Sequence, residues 1–259
     1  MKKTLYIAAL STLLGLTGCQ EYLDKQPLDT PAAATYFNNE AEMNLALTGV
    51  YNANYWVVGN VPVQVFYDLY TDIGLERTGG IASGSYDATN GSVVSYWGFM
   101  YQTIARANVV IQGIERNKAN VPVATYNRLL GEAKVLRAWA YYHLMGLYGD
   151  VPFYTEPLTT DQFYTLTRTE RGKIVDYLMT DLDDAAAKLD WASKERGRAN
   201  KGVALGIQAK MALLLGRYQA AADAAKKIID GNAYGLNPRF QDLFTLAGQQ
   251  ANTGKEIMF

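Results

Sequence analysis

The chain has 259 residues, of which 49% are hydrophobic and 19% charged, with 24 basic side chains against 25 acidic ones. This composition suits a folded globular protein and excludes a nucleic-acid binder, which would carry a strong basic excess. One cysteine and one histidine exclude an internal disulfide, cysteine-ligated zinc and most zinc-hydrolase or catalytic-triad chemistry, so neither a metal nor a cofactor is expected.

Lys2 and Lys3 precede an apolar run from Leu5 to Leu16, the pattern of a secretory signal. The run is too short to span a bilayer, which takes about 20 apolar residues. Leu16-Thr17-Gly18-Cys19 forms a lipobox: small residues fit a narrow peptidase site, the Cys19 thiol takes a diacylglycerol, and cleavage leaves Cys19 as the new N-terminus. On the competing reading Cys19 is an ordinary small residue near an ordinary cleavage site, yet it is the chain's only cysteine and sits where the chemistry needs it. Each buried CH₂ of an acyl chain contributes about 0.8 kcal/mol, so two or three chains anchor stably. Gln20, not Asp, follows Cys19, so nothing signals inner-membrane retention and an outer membrane is the expected destination. Residues 1–18 are thus read as a leader and 19–37 as a lipidated tether, in which Pro27 and Pro31 forbid a helix.

Asn39 with Glu42 predicts a capping box opening a helix to about Asn54, with Met43, Leu47 and Val50 on one face. Residues 57–96 are rich in glycine and interleaved with tyrosines, and Val61 to Tyr70 reads as a short helix or strand. The stretch from Thr71 to Ser95 is long for a structureless connection, and such loops are often functional. A helix is predicted from Trp97 to Asn117. A second spans Val123 to Tyr148, with a stripe of Leu129, Ala133, Leu136, Ala140, Leu144 and Leu147, and stops at Gly149-Asp150-Val151-Pro152.

After a Pro- and Thr-containing connector to Arg168, Thr167 with Glu170 is expected to cap a helix whose stripe is Ile174, Leu178, Leu182, Ala185 and Leu189. Asn200 opens another helix, with Val203, Ile207, Met211 and Leu214. The last helix, Arg217 to Asp230, carries Tyr218, Ala222, Ala225 and Ile229. Small residues Ala209, Ala212, Ala221 and Ala225 across the link at Gly216 predict a close, tetratricopeptide-like pair. Such pairs cannot bury a face alone and must stack. The fold class is therefore mainly all-α, tetratricopeptide-like helix pairs with a long Gly/Tyr-rich loop, over 38–259. The ending Glu256-Ile257-Met258-Phe259, apolar and strand-like, reads as a truncated chain.

An ordered set of segments carries a family resemblance. It comprises Tyr22-Leu23-Asp24 with Pro27, the run Leu47 to Tyr51, and the run Trp97 to Asn108. Next come Gly131 to Ala138, continuing through Tyr141 and Tyr142 to Tyr148-Gly149-Asp150-Val151-Pro152. Asp181 to Ala185, Gly197 to Lys201, Ala221 to Tyr234 and Asp242-Leu243-Phe244 complete the set. The chain resembles the SusD/RagB family of outer-membrane lipoproteins. The resemblance implies a surface nutrient binder that sits as a lid on a SusC-like TonB-dependent transporter and takes oligosaccharides or, in some members, peptides. It also places the segment before Trp97 on the ligand face. The loop from Asp72 to Trp97 offers Arg77, Tyr86, Asn90, Tyr96 and Trp97 as ligand contacts, aromatic faces for sugar C–H groups and polar groups for hydroxyls. Singly, Tyr96 and Trp97 can equally anchor the helix start in the core.

Two other functions compete. A lipid-anchored glycosidase could draw paired carboxylates from Asp68, Asp72 and Glu76, which would have to sit roughly 5–9.5 Å apart. A helical-repeat scaffold without a small ligand is the other. Glu132 and Arg137 read as hydrogen-bonding groups between helices, Asp181, Asp183 and Asp184 as a solvated helix face, and His143 as a packed helix histidine. No P-loop, Gly-x-Ser-x-Gly, Gly-x-Gly-x-x-Gly or calcium-loop pattern occurs.

Overall fold

The computed structural model describes residues 36–54, 57–58, 61–62, 68, 71–74, 80, 83–193, 195–251, 256 and 258. The segments expected as leader and lipidated tether, Cys19 included, lie outside the described residues up to residue 35. From Phe37 onward the chain forms one compact unit, and it is mostly helical. In chain order the helices are α1 (Glu40–Ala53), α2 (Gly91–Arg116), α3 (Val123–Tyr148), α4 (Thr160–Thr165), α5 (Arg171–Lys188), α6 (Lys201–Leu214), α7 (Tyr218–Asp230) and α8 (Leu246–Ala251). Strand β1 (Val57–Val58) pairs antiparallel with β2 (Val61–Pro62), so Val61 opens a strand, and β3 (Val151–Pro152) pairs antiparallel with β4 (Arg168–Thr169).

α3 is the central helix, packing against α1, α2, α5 and α6. Its stripe is buried from Leu129 through Leu144, while Leu147 at the end is exposed. Ile174, Leu178, Leu182 and Ala185 of α5 are buried in the same core, as are Ile207 and Met211 of α6. Gly131 lets α3 pass close to the end of α5: a Cβ there would stand 2.8 Å from Leu189 Cγ.

Helix ends follow local chemistry where the cap is local. Asn39 Oδ1 accepts the Glu42 N–H at 3.0 Å, and the Glu42 carboxylate turns back to accept the Asn38 N–H at 2.8 Å. Asn200 Oδ1 accepts the Val203 N–H at 3.1 Å. At α5 the expected Thr167–Glu170 cap does not form. Glu170 occupies the cap position, but its side chain makes no cap bond. The Arg171 N–H donates instead to Asp150 Oδ1 at 3.0 Å. The β3–β4 ladder, which sets Val151 opposite Thr169, carries Asp150 to that helix end. The connector also holds a helix that periodicity did not reveal. α4 is opened by a full capping box between Thr159 and Gln162.

The α6–α7 hairpin turns through Gly216, whose φ of 68° is in the left-handed region. The Arg217 N–H donates to Ala212 O at 2.9 Å and the Gly216 N–H to Leu213 O at 3.0 Å. This pair of bonds is the Schellman motif, which glycine makes without a Cβ penalty. Ala212 and Ala221 are both buried, as a close pair requires. The buried face of α7, however, is Ala221 and Ala224. Tyr218 and Ile229 are 74% and 76% exposed, so the expected stripe through them is wrong by a fraction of a turn. In a segment this rich in alanine two registers have similar contrast, and the large residues point to the wrong one.

His143 is buried on α3, edge-on to Trp139 with ring centroids 4.3 Å apart. Burial, helped by the nearby charge of Lys210, pushes its pKa down from 6.5 to about 3. The folded chain thus resists a proton that the unfolded chain accepts, so stability is full above pH ~6.5 and falls as pH drops toward ~3. His143→Leu should flatten this acid limb in urea titrations between pH 7 and 4. An acid limb of unchanged slope would show that His143 does not cause it.

Candidate functional site

α2 begins at Gly91, earlier than the predicted Trp97, because Asn90 Oδ1 caps it by accepting the Ser92 N–H at 3.0 Å. Gly91, Ser92, Val93 and Val94 are poor helix formers, which hid this first turn from the sequence. The helix start is held from α3 by Tyr148, whose hydroxyl donates to Val93 O at 2.6 Å.

The earlier start reassigns several expected ligand contacts. Asn90 spends its side-chain carbonyl as the helix cap. Tyr96 is 2% exposed and packs in the core, the alternative foreseen for it. Trp97 is half-buried, 4.8 Å from the Tyr101 ring and 5.1 Å, edge-on, from Tyr148. Tyr86 is 43% exposed, on a turn braced by Asp87, whose carboxylate accepts from the Thr89 N–H at 2.8 Å and its hydroxyl at 2.6 Å. Those bonds hold the Asp87 pKa below the ordinary carboxylate range. Arg77 and Glu76 lie outside the described residues, and Asp68 and Asp72 are exposed. The structure therefore leaves Tyr86 on the surface, brings Trp97 into an aromatic ladder, and removes Tyr96 from solvent.

That ladder continues along α2. Tyr101, one turn on from Trp97, stacks in parallel on Tyr154 at 6.1 Å, and its hydroxyl donates to Pro152 O at 2.7 Å. Burial raises the Tyr101 pKa well above its usual range, with Tyr154 adding to the effect. The Tyr154 backbone is fixed by the Tyr141 hydroxyl, which donates to its carbonyl at 2.9 Å and accepts its N–H at 3.0 Å.

Buried charge fixes this surface from below. Arg137, 2% exposed, donates to Asp181, to Asn108 Oδ1 at 2.7 Å and to Thr155 O at 2.9 Å. Asp181, expected on a solvated face, is buried in this pair. Glu132 accepts from Tyr51 at 2.7 Å and Arg128 at 3.1 Å. Burial first, then the Glu132 charge, drives the Tyr51 pKa far above its usual range, so Tyr51 remains a donor. Both groups on α3 thus join elements, as the sequence suggested. Among the described residues no cluster of three or more His, Cys, Asp or Glu is placed to hold a metal ion.

Comparison with known proteins fits this architecture. Residues 21–213 match the profile of a SusD-like family described as starch-binding and associating with the outer membrane. The chain belongs to that SusD-like family. SusD-like protein P25 of Formosa agariphila is 29% identical over 243 residues, covering 87% of this chain and 46% of its own. A SusD-like carbohydrate binding protein from Bacteroides fragilis superposes with a TM-score of 0.76 at 24% identity, over 87% of this chain and 46% of that one. A laminarin binding SusD-like protein superposes with a TM-score of 0.68 at 22% identity, over 82% of this chain and 49% of that one. The chain spans about half the length of the relatives it matches.

Proposed function

We propose that this protein is a cell-surface glycan-binding lipoprotein of an outer membrane that delivers its ligand to a SusC-like TonB-dependent transporter, without catalysing a reaction. The observation that carries the reading is the family match from residue 21, two positions after Cys19, to residue 213 in α6. The names of the similar proteins, carbohydrate binding in one and laminarin binding in another, support a sugar ligand. On this reading residues 1–18 are a removed leader, 19–37 a tether held by lipid on Cys19, and the helical unit presents the ligand face. The exposed Tyr86 on its braced turn, with Arg77 from the same loop, supplies a flat ring and a planar donor to that face. For two of its three candidate carboxylates the glycosidase alternative is disfavoured by exposure. Asp68 and Asp72 are open to water, whereas a catalytic acid is tuned by enclosure.

Cys19→Ala should move the protein from the membrane to the soluble fraction. A variant still membrane-bound in cells lacking the transporter would remove the lipid from the account. For ligand binding, the intact chain should be retarded in gels containing laminarin or amylopectin, and Arg77→Ala/Tyr86→Ala should weaken retardation about tenfold. If neither polysaccharide, nor a wider neutral panel, retards the intact chain, the glycan reading fails.

A further inference from the structure

A groove of about 380 Å³ lies between α2 and α4, within the size range of small-ligand sites. Ala105 and Val109 of α2 line it on one side and Phe163 and Tyr164 of α4 on the other, with Tyr154 and Thr160 also facing it. Three features distinguish it from leftover surface.

The first is the state of its rings. Phe163 and Tyr164 are 58% and 81% exposed, and among the described residues their ring contact is with each other, at 6.0 Å. α4 has no buried residue, so these aromatics do not serve a core. The capping box nevertheless fixes the helix that presents them.

The second is hydroxyl use. The tyrosines that hold the fold spend their hydroxyls within the protein: Tyr51 on Glu132, Tyr101 on Pro152 O, Tyr141 on Tyr154 O, Tyr148 on Val93 O and Tyr234 on Asn200. Among the described residues, the hydroxyls of Tyr154, Tyr164 and Thr160 bond to no protein group. Flat apolar faces edged by unspent hydroxyls match a sugar ring, with C–H faces and equatorial hydroxyls. Among the described residues no charged side chain lines the groove, which suits a neutral ligand.

The third is position. Trp97, Tyr101, Ala105 and Val109 recur every fourth residue along α2, so the groove continues the face that the aromatic ladder occupies. From Trp97 to Val109 the helix rises on the order of 18 Å. Tyr154 belongs to both, stacked on Tyr101 and lining the groove.

We propose that the α2–α4 groove is a second subsite for a neutral oligosaccharide, in which Phe163 and Tyr164 serve as platforms and Tyr154, Tyr164 and Thr160 as hydroxyl partners. The proposal rests on the glycan-binding reading above and adds a site that reading does not need. Its test is affinity electrophoresis of the intact chain in laminarin and amylopectin gels. Phe163→Ala/Tyr164→Ala changes only exposed side chains and should weaken retardation about tenfold. Ala105→Arg fills the groove from the opposite wall, at an exposed helix position, and should weaken it comparably. Circular dichroism of both variants should match the parent. Retardation of the parent with both variants unchanged would overturn the groove while leaving the glycan reading intact. No retardation of the parent by either polysaccharide or by the wider panel would overturn the reading and the subsite together. Variants that keep polysaccharide affinity but lose a co-purifying outer-membrane protein would make the groove a protein-docking surface, contrary to the proposal.

Discussion

A guanidinium shut away from water in the middle of α3 sets the terms for the rest of this fold. Arg137 cannot lie there uncompensated, since an unpaired buried charge costs several kcal/mol. Its partners come from three separate places: Asp181 on α5, Asn108 on α2 and the carbonyl of Thr155 after β3. Lys134, one turn away, adds a second cation to Asp181 at 3.1 Å. Apolar packing alone tolerates sliding. A charge with several fixed partners does not, so the register of α2 and α5 on α3 is set by where these atoms meet. The same constraint reaches the surface, because Asn108 also donates to Tyr154 O at 3.3 Å. Tyr154 is thereby held where the aromatic ladder ends and the groove begins.

Glu132 does the corresponding work on the other flank of α3. It collects Tyr51 from α1 and Arg198 from the segment before α6, and the Tyr51 hydroxyl in turn accepts the Ala199 N–H at 2.8 Å. Arg198 also lies over the Tyr51 ring, 4.9 Å from its centroid. The chain has 19 tyrosines, and those described fall into two kinds. Many rings are struts, with an apolar body in the core and a hydroxyl that closes a distant backbone group. A smaller set, Tyr86 before α2 and Tyr164 on α4 among them, keeps its rings toward solvent.

The helices that were legible in the sequence are those whose determinants are local. The stripe and the glycine stop mark α3, and asparagine caps three residues ahead of the donors they satisfy mark α1 and α6. What was not legible depends on tertiary placement. The cap of α5 is Asp150, distant in sequence and delivered by a two-residue ladder. Asp181 looked like part of a solvated acidic run because its partner, Arg137, lies 44 residues away. The first turn of α2 was hidden by weak helix formers, which Asn90 and Tyr148 hold in place. The loop before α2 ends at Asn90 rather than at Trp97, so Tyr96 belongs to the core. α4 shows no period, because six residues are too few to display one. Its Thr159–Gln162 capping box was the signal that could have found it.

Arg137 and Asp181 act as one unit in fixing the register of α5 on α3. A double-mutant cycle on chemical denaturation measures this directly, using Arg137→Met, Asp181→Leu and the combination. Each single change strands a charge or a hydrogen-bonded partner in the core and should cost several kcal/mol, whereas removing both charges together should cost less than the sum by about 1–3 kcal/mol. Strict additivity, within about 0.5 kcal/mol, would contradict the claim and return the register of these helices to apolar packing alone.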